Sequence, residues 1–351
     1  MKKNLAIVGY GGQGAWHASH AEKSDVVSLS GIFDIAEKRV LAAKERGIRA
    51  YTTLEELLTD ESVDIVLCAT PNDSHKKIVL AALAAGKHVI CEKPVALSVS
   101  DFDEMTAAAE KAGRLLSVHQ NRRWDVDFLA IKSIIASGEI GEVISVESRI
   151  HGSRGIPSDW RCHKAPGGGM ILDWGVHLID QMLGIVYDKK IESLYCRFDH
   201  ITNDEVDDGF SCELRYEGDL TVHLYVGTSN FIDLPRWYMQ GENGTAVIRD
   251  WDINGEIVMV SDWENRDAVP IQAGVGLTKT MAPRTDKTIQ KYPLPYVEKV
   301  SFSDENRLYN NLCDALEGKA EQFVTHDQQR RLIRVVEAMF ESAEKNEVIK
   351  F

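Results

Sequence analysis

The first third of the chain alternates short apolar runs with stretches of helical period. Leu5 to Tyr10, Val26 to Asp34, Asp64 to Thr70, His88 to Glu92 and Leu115 to Asn121 are mostly apolar. Between them lie a stretch ending near Lys23, then Ala36 to Arg46, Ser74 to Ala85 and Ser100 to Ala112, each with helical patterning. Strands that are apolar throughout must be covered on both faces, which predicts a parallel sheet with helices on either side. Residues 1–123 therefore read as a doubly wound α/β domain.

The pattern changes after Arg123. Asp127 to Ser137 reads as a helix and Glu142 to His151 as a strand, and a glycine run at Gly167-Gly168-Gly169 opens a helix to about Leu183. Six strand-like runs then follow without intervening helices, from Ile191 to Ser261. Turns such as Glu217-Gly218-Asp219 and Glu242-Asn243-Gly244 join neighbouring runs, which argues for an antiparallel sheet. Pro270 to Pro295 reads as a long loop, and helices near Asp304 to Glu317 and His326 to Lys345 close the chain. Residues 124–351 thus read as a second, α+β domain. Alternating apolar residues such as Val222, Leu224 and Val226 offer a face to a partner sheet, suggesting an oligomer.

Composition narrows the function. Lys plus Arg number 40 against 54 Asp plus Glu, a net charge of −14. That argues against nucleic acid or an anionic membrane as main partner, but not against a small anionic ligand. The six cysteines are scattered with no C-x-x-C pair, as in a reduced cytoplasmic protein. The apolar run after Met1-Lys2-Lys3 ends at Gly9, too short for a signal peptide, and no run is long enough to span a membrane.

Gly9-Tyr10-Gly11-Gly12-Gln13-Gly14 is G-x-G-x-x-G between a strand and a helix, the context in which backbone N–H groups face a pyrophosphate. Asp34 follows Gly14 by 20 residues and is suited to both ribose hydroxyls of NAD. Its charge favours NAD, and Lys38 and Arg39 just behind it keep NADP as an alternative. Thr70, Asn72 and His75 follow an apolar strand and are placed to line the cofactor cleft, although a Pro turn with a helix cap also describes them. Glu92 and Lys93 close another strand before Pro94, and a surface lysine is the alternative there.

In Asp173-Trp174-Gly175-Val176-His177-Leu178-Ile179-Asp180, Asp173 and His177 are four apart and Asp180 extends the stripe. The alternatives are a solvated salt-bridged face, or metal ligands. No cysteine or second histidine lies at suitable spacing, so no metal is expected. Asn121-Arg122-Arg123-Trp124 at the domain boundary and Trp160-Arg161 with His163 are the remaining clusters. Each could meet substrate, cofactor or another subunit, and for Trp124 and Trp160 ordinary packing is an equal alternative.

These motifs, in this order, resemble the Gfo/Idh/MocA family, named for glucose–fructose oxidoreductase and inositol dehydrogenase. The resemblance rests on the glycine loop, Thr70-Pro71-Asn72 with His75, Ala85-Gly86-Lys87-His88-Val89 leading to Glu92-Lys93-Pro94, and the glycine run through Asp180. It covers nearly the whole chain, the segment from Trp251 to Pro295 being the least typical. It implies a Rossmann domain, a second domain with a largely antiparallel open sheet, and NAD(P)-dependent oxidation of a secondary alcohol on a sugar or cyclic polyol. It also implies a homodimer or homotetramer. Lys93, Asp173 and His177 look like the family's catalytic triad. The cofactor set is Gly9, Gly11, Gly12, Gln13, Gly14, Asp34, Thr70, Asn72, His75, Glu92, Lys93 and Asn121. Arg122 and Trp160 join the triad as substrate contacts. The chemistry agrees: His177 suits a general base, Lys93 can polarise the same oxygen, and Asp173 can orient substrate hydroxyls or the imidazole. A redox-neutral enzyme with retained NAD and a non-catalytic dinucleotide-dependent regulator are the competing readings.

Overall fold

The computed structural model describes residues 2–186, 188–266, 272–274, 277–279, 284–298 and 305–351. The first layer contains β1 (Lys3–Val8), α1 (Gly12–Ala21), β2 (Val27–Phe33), α2 (Glu37–Glu45), α3 (Leu54–Thr59), β3 (Ile65–Cys68), α4 (His75–Ala84), β4 (His88–Glu92), α5 (Val99–Ala112) and β5 (Leu116–His119). Its five strands are all parallel, in the order β2-β1-β3-β4-β5. Ala50 forms one parallel bridge to Ile32 beyond β2. Counted as a strand shortened to a single bridge, it restores the 3-2-1-4-5-6 order of a dinucleotide-binding sheet.

Alternate residues of β1 explain the continuous apolar run. Leu5 and Ile7 pack with Ala18 and Ala21 of α1 on one face, and Ala6 and Val8 face the other with α4 and α5. All four are at most 2% exposed. A strand buried on both faces can carry no polar side chain without an internal partner.

The second layer comprises α6 (Val126–Ser137), β6 (Val143–His151), α7 (Val176–Ile185), β7 (Ile191–Asp199), β8 (Gly209–Tyr216), β9 (Thr221–Gly227), β10 (Trp237–Gly241), β11 (Gly244–Ile248), β12 (Gly255–Val260), β13 (Gln272–Gly274), β14 (Leu277–Lys279), β15 (Ile289–Tyr292), α8 (Glu305–Leu316), α9 (His326–Lys345) and β16 (Ile349–Lys350). Nine strands form one sheet, β15-β12-β11-β10-β6-β9-β8-β7-β16. Its described pairs are antiparallel except β6 with β9.

The expected loop from Pro270 to Pro295 holds a strand, because β15 pairs with β12 at the sheet edge, and β13 pairs with β14. Pro270, Ile271, Val275, Gly276 and residues 280–283 of that segment lie outside the described residues. The stripe Val222, Leu224 and Val226 does not face a partner. Each is at most 1% exposed within the chain's own core, so the outward-facing residues of β9 are Thr221, His223 and Tyr225.

The two layers are tied together by the C-terminal helices. Leu308, Tyr309 and Leu312 of α8 return to the first layer and pack beside α1. Helix α9 starts from a Thr325–Gln328 capping box and contacts α5, α7 and β7.

Candidate active site

The carboxyl ends of the parallel strands bring the glycine loop, Asp34, Thr70, Lys93 and the Asn121 turn to one edge. Gly9 has φ +91°, and a side chain there would lie 2.5 Å from the Ala69 carbonyl; a Cβ on Gly14 would land on the Gly9 carbonyl. Gly11 and Gly12 instead face open space, and Gln13 is exposed beside them. Close packing on one side with open backbone on the other, where α1 begins, is what a pyrophosphate requires. Asp34 accepts the Tyr10 N–H at 2.6 Å through Oδ2 and the Ala36 N–H at 2.7 Å through Oδ1. Each oxygen keeps a lone pair for a ribose hydroxyl.

Three residues expected at the cofactor are turned inward. Asn72, 5% exposed, donates its side-chain amide to the Gly167 carbonyl at 2.7 Å, pinning the glycine run of the second layer to the first. His75 is fully buried, with Nδ1 2.8 Å from the Pro94 carbonyl and Nε2 3.0 Å from the Thr70 carbonyl. It braces the Thr70 loop against the turn after Lys93 and does not line the cleft, because helix α4 begins at His75 beneath that loop. Glu92 lies among two imidazoles: Oε1 accepts from His17 and His119, both at 2.8 Å. Burial opposes its charge, yet His119 and His17 hold the carboxyl well below its usual range. The His17 ring also meets the Tyr309 hydroxyl of α8 at 3.0 Å. Thr70 is half-buried, its hydroxyl accepting from Ser74 at 2.7 Å, and Asn121 opens the short turn Asn121–Trp124.

The candidate catalytic residues Lys93 and Asp173 meet at the junction of the layers. Gly169 has φ +105°, and its missing Cβ leaves room for the Asp207 carboxylate. That carboxylate caps the following turn by accepting the Ile171 N–H at 2.8 Å, and burial raises its pKa to about 7. Ile171–Gly175 is a single wide π turn ahead of α7. Such turns recur at functional sites because they re-aim side chains.

Here the π turn aims Asp173 at Lys93. Lys93 Nζ donates to the Asp173 carbonyl at 2.7 Å and to Oδ1 at 3.1 Å. Arg161 Nε lies 3.3 Å from the same Oδ1. Burial favours the neutral acid, but Lys93 and Arg161 hold the Asp173 carboxyl below its ordinary value.

His177 is 5% exposed, and Nδ1 has no hydrogen-bond partner among the described residues. Asp173 therefore orients Lys93 and leaves the imidazole unbound. Burial, then Lys93 and Arg122, push the His177 pKa well below its ordinary value. Asp180 leaves the expected stripe altogether, because it forms a bidentate pair with Arg123 at 2.7 and 2.6 Å.

A cleft of about 980 Å³ opens from Asp173 along the second sheet. Arg122 lines it, with its guanidinium 4.1 Å above the Trp174 ring and 3.0 Å from Asp125. Trp160 does not line it; it stacks on Arg161 at 4.7 Å, behind the residue that holds Asp173. Asp125, His151 and Trp251 line the cleft and were not singled out from the sequence. Only the position of Asp125, directly after the boundary cluster, offered a signal. No helix among the described residues is long and apolar enough to cross a membrane.

Residues 3–120 match the model of an oxidoreductase family with an NAD-binding Rossmann fold, and residues 128–247 match a GFO/IDH/MocA C-terminal domain. The chain is 30% identical to the "uncharacterized oxidoreductase YdgJ" of Escherichia coli (strain K12), over 97% of this chain and 96% of that one. It is 27% identical to "scyllo-inositol 2-dehydrogenase (NADP(+)) IolW" of Bacillus subtilis (strain 168), over 98% and 95% of the two chains. The crystal structure of an NAD-binding protein from Listeria innocua superposes with a TM-score of 0.89 at 42% identity, covering 100% of this chain and 97% of that one.

Proposed function

Since this chain belongs to the GFO/IDH/MocA family of NAD-binding oxidoreductases, we propose that it is an NAD(P)-dependent dehydrogenase that oxidises a secondary alcohol of a sugar, cyclic polyol or glycoside. One observation carries the reading: Lys93 at the cofactor edge is bonded to Asp173 of the second layer, with His177 on the helix that follows. A relative named as a scyllo-inositol dehydrogenase supports the polyol class, and its naming with NADP(+) keeps that cofactor as the alternative. The open faces of Gly11 and Gly12 and the free lone pairs of Asp34 fit the pyrophosphate and ribose of NAD.

When bound, the nicotinamide supplies the hydride acceptor. The chain's own residues manage the proton and the charge. His177, kept neutral near pH 7 by burial and by neighbouring cations, accepts the hydroxyl proton on a ring nitrogen. Lys93 donates to the same oxygen as negative charge develops on it. Asp173 and Arg161 fix where the ammonium points. Screening inositols, hexoses, uronic acids and glycosides for NADH formation, with Lys93→Ala as control, tests the reading. Absence of NADH with every class, and of NADPH when NADP replaces NAD, would reject it.

A homodimer or homotetramer is proposed through the outward face of the nine-stranded sheet, where Thr221, His223 and Tyr225 stand. Light scattering at micromolar concentration checks this, and a monodisperse monomer would reject it.

A further inference from the structure

The cleft extends well past the groups assigned to chemistry. Asp173, Trp174, Trp251 and Thr228 all line it, and its volume of about 980 Å³ suits a ligand larger than one six-membered ring. Pockets of about 300–1,000 Å³ already bury drug-sized ligands.

One buried carboxylate on its wall is only half satisfied. Asp125 is 7% exposed; Oδ2 accepts from Arg122, and Oδ1 has no partner. An orphaned acceptor in a cleft complements a ligand hydroxyl group.

Trp174 and Trp251 belong to a column of alternating indoles and guanidiniums. Arg236 lies 4.7 Å from the Trp237 ring and 5.3 Å from Trp251, and Arg122 lies 6.0 Å from Trp251 and 4.1 Å from Trp174. The column holds Trp251, 54% exposed, as a flat platform for the apolar face of a sugar ring. Its cations are already matched, Arg122 by Asp125 and Arg236 by Asp127. Arg154 sits at the exposed rim, where an ion pair adds little. The outer cleft thus favours a neutral polyhydroxylated group over a carboxylate.

We infer that this outer cleft is a second sugar-ring subsite, so that the substrate is a glycoside or disaccharide. Its oxidised ring sits at Lys93 and His177, as the proposed dehydrogenase activity requires. Its adjoining ring stacks on Trp251 and bonds Asp125.

Calorimetric titration of the NADH-saturated protein separates binding from turnover. At least one of cellobiose, maltose, lactose and galactinol should bind at least about tenfold more tightly than glucose, galactose and myo-inositol, a step of about 1.4 kcal/mol. Trp251→Ala and, separately, Asp125→Asn should remove most of that preference. Equal binding of the single- and double-ring probes, or a preference that both variants retain, would overturn the subsite. A preference of this kind without NADH or NADPH formation from any sugar leaves the subsite standing and rejects the dehydrogenase reading. NADH formation without the preference does the reverse.

Discussion

Replacing Lys93 with methionine keeps most of the side-chain stem and removes the donor and the charge. In the native protein Nζ lies 2.7 Å from the Asp173 carbonyl and 3.1 Å from Oδ1, with both side chains 17% exposed. Leaving a buried acceptor unpaired costs about 1–3 kcal/mol, and Arg161 at 3.3 Å from the carboxylate places the loss toward the lower end. The effect on rate should be larger. Losing one preorganised donor to a developing oxyanion typically lowers kcat by about 10²–10³, or about 2.7–4 kcal/mol. NAD affinity should stay close to that of the native protein. A second readout comes from the same substitution. Burial lowers the His177 pKa most and the Lys93 ammonium adds to that, so removing the charge should move the acid limb of kcat/KM upward. The assay is NADH formation across a pH series with the best substrate from the screen, alongside NAD titration and a thermal melt. Wild-type turnover in the variant, or an acid limb that stays put or moves downward, would refute the assignment of Lys93.

Asp34→Ala should weaken NAD binding and relax discrimination against NADP; an unchanged ratio of the two dissociation constants would remove Asp34 from the ribose site. Gly14→Ala places a methyl group on the Gly9 carbonyl, so the variant should fold poorly or lose NAD-dependent stabilisation in a thermal melt, and a native NAD-induced shift would contradict the tight turn. Glu92→Gln should cost about 2–3 kcal/mol at neutral pH, because charge-assisted bonds from two histidines are weakened. The sign with pH follows from its lowered pKa. The stabilisation is present above the unfolded value of about 4.3 and is lost as pH falls toward the folded value. The variant should therefore lose stability less steeply in acid, and equal slopes would show that Glu92 carries no such linkage.

The alternation of apolar runs and helices revealed the first layer because a doubly covered parallel strand leaves an unbroken apolar signature. The single bridge at Ala50 was hidden, since one paired residue makes no run. The second sheet was legible as strands but not as an order. The parallel pairing of β6 with β9 joins segments far apart in sequence, and Val222, Leu224 and Val226 alternate in the same way whether the covering layer is a partner or the chain's own helices. Strand β15 is half-polar because it lies at a sheet edge, so it passed for loop. At the site, Lys93, Asp173 and His177 stood out by residue type and position. Helical spacing suggested one polar stripe, but the π turn sends Asp173 to Lys93, while Asp180 pairs with Arg123. Arg161 was visible only as part of a loop cluster, because its contact with Asp173 depends on where the glycine run folds back.

In the proposed mechanism His177 is the base that takes the alcohol proton beside Lys93. This role is tested most directly by single-turnover NADH formation in His177→Ala, with the best substrate from the screen and NAD binding measured on the same preparation. The rate should fall by about 10²–10⁴ with NAD affinity nearly unchanged. A native single-turnover rate in that variant would contradict it.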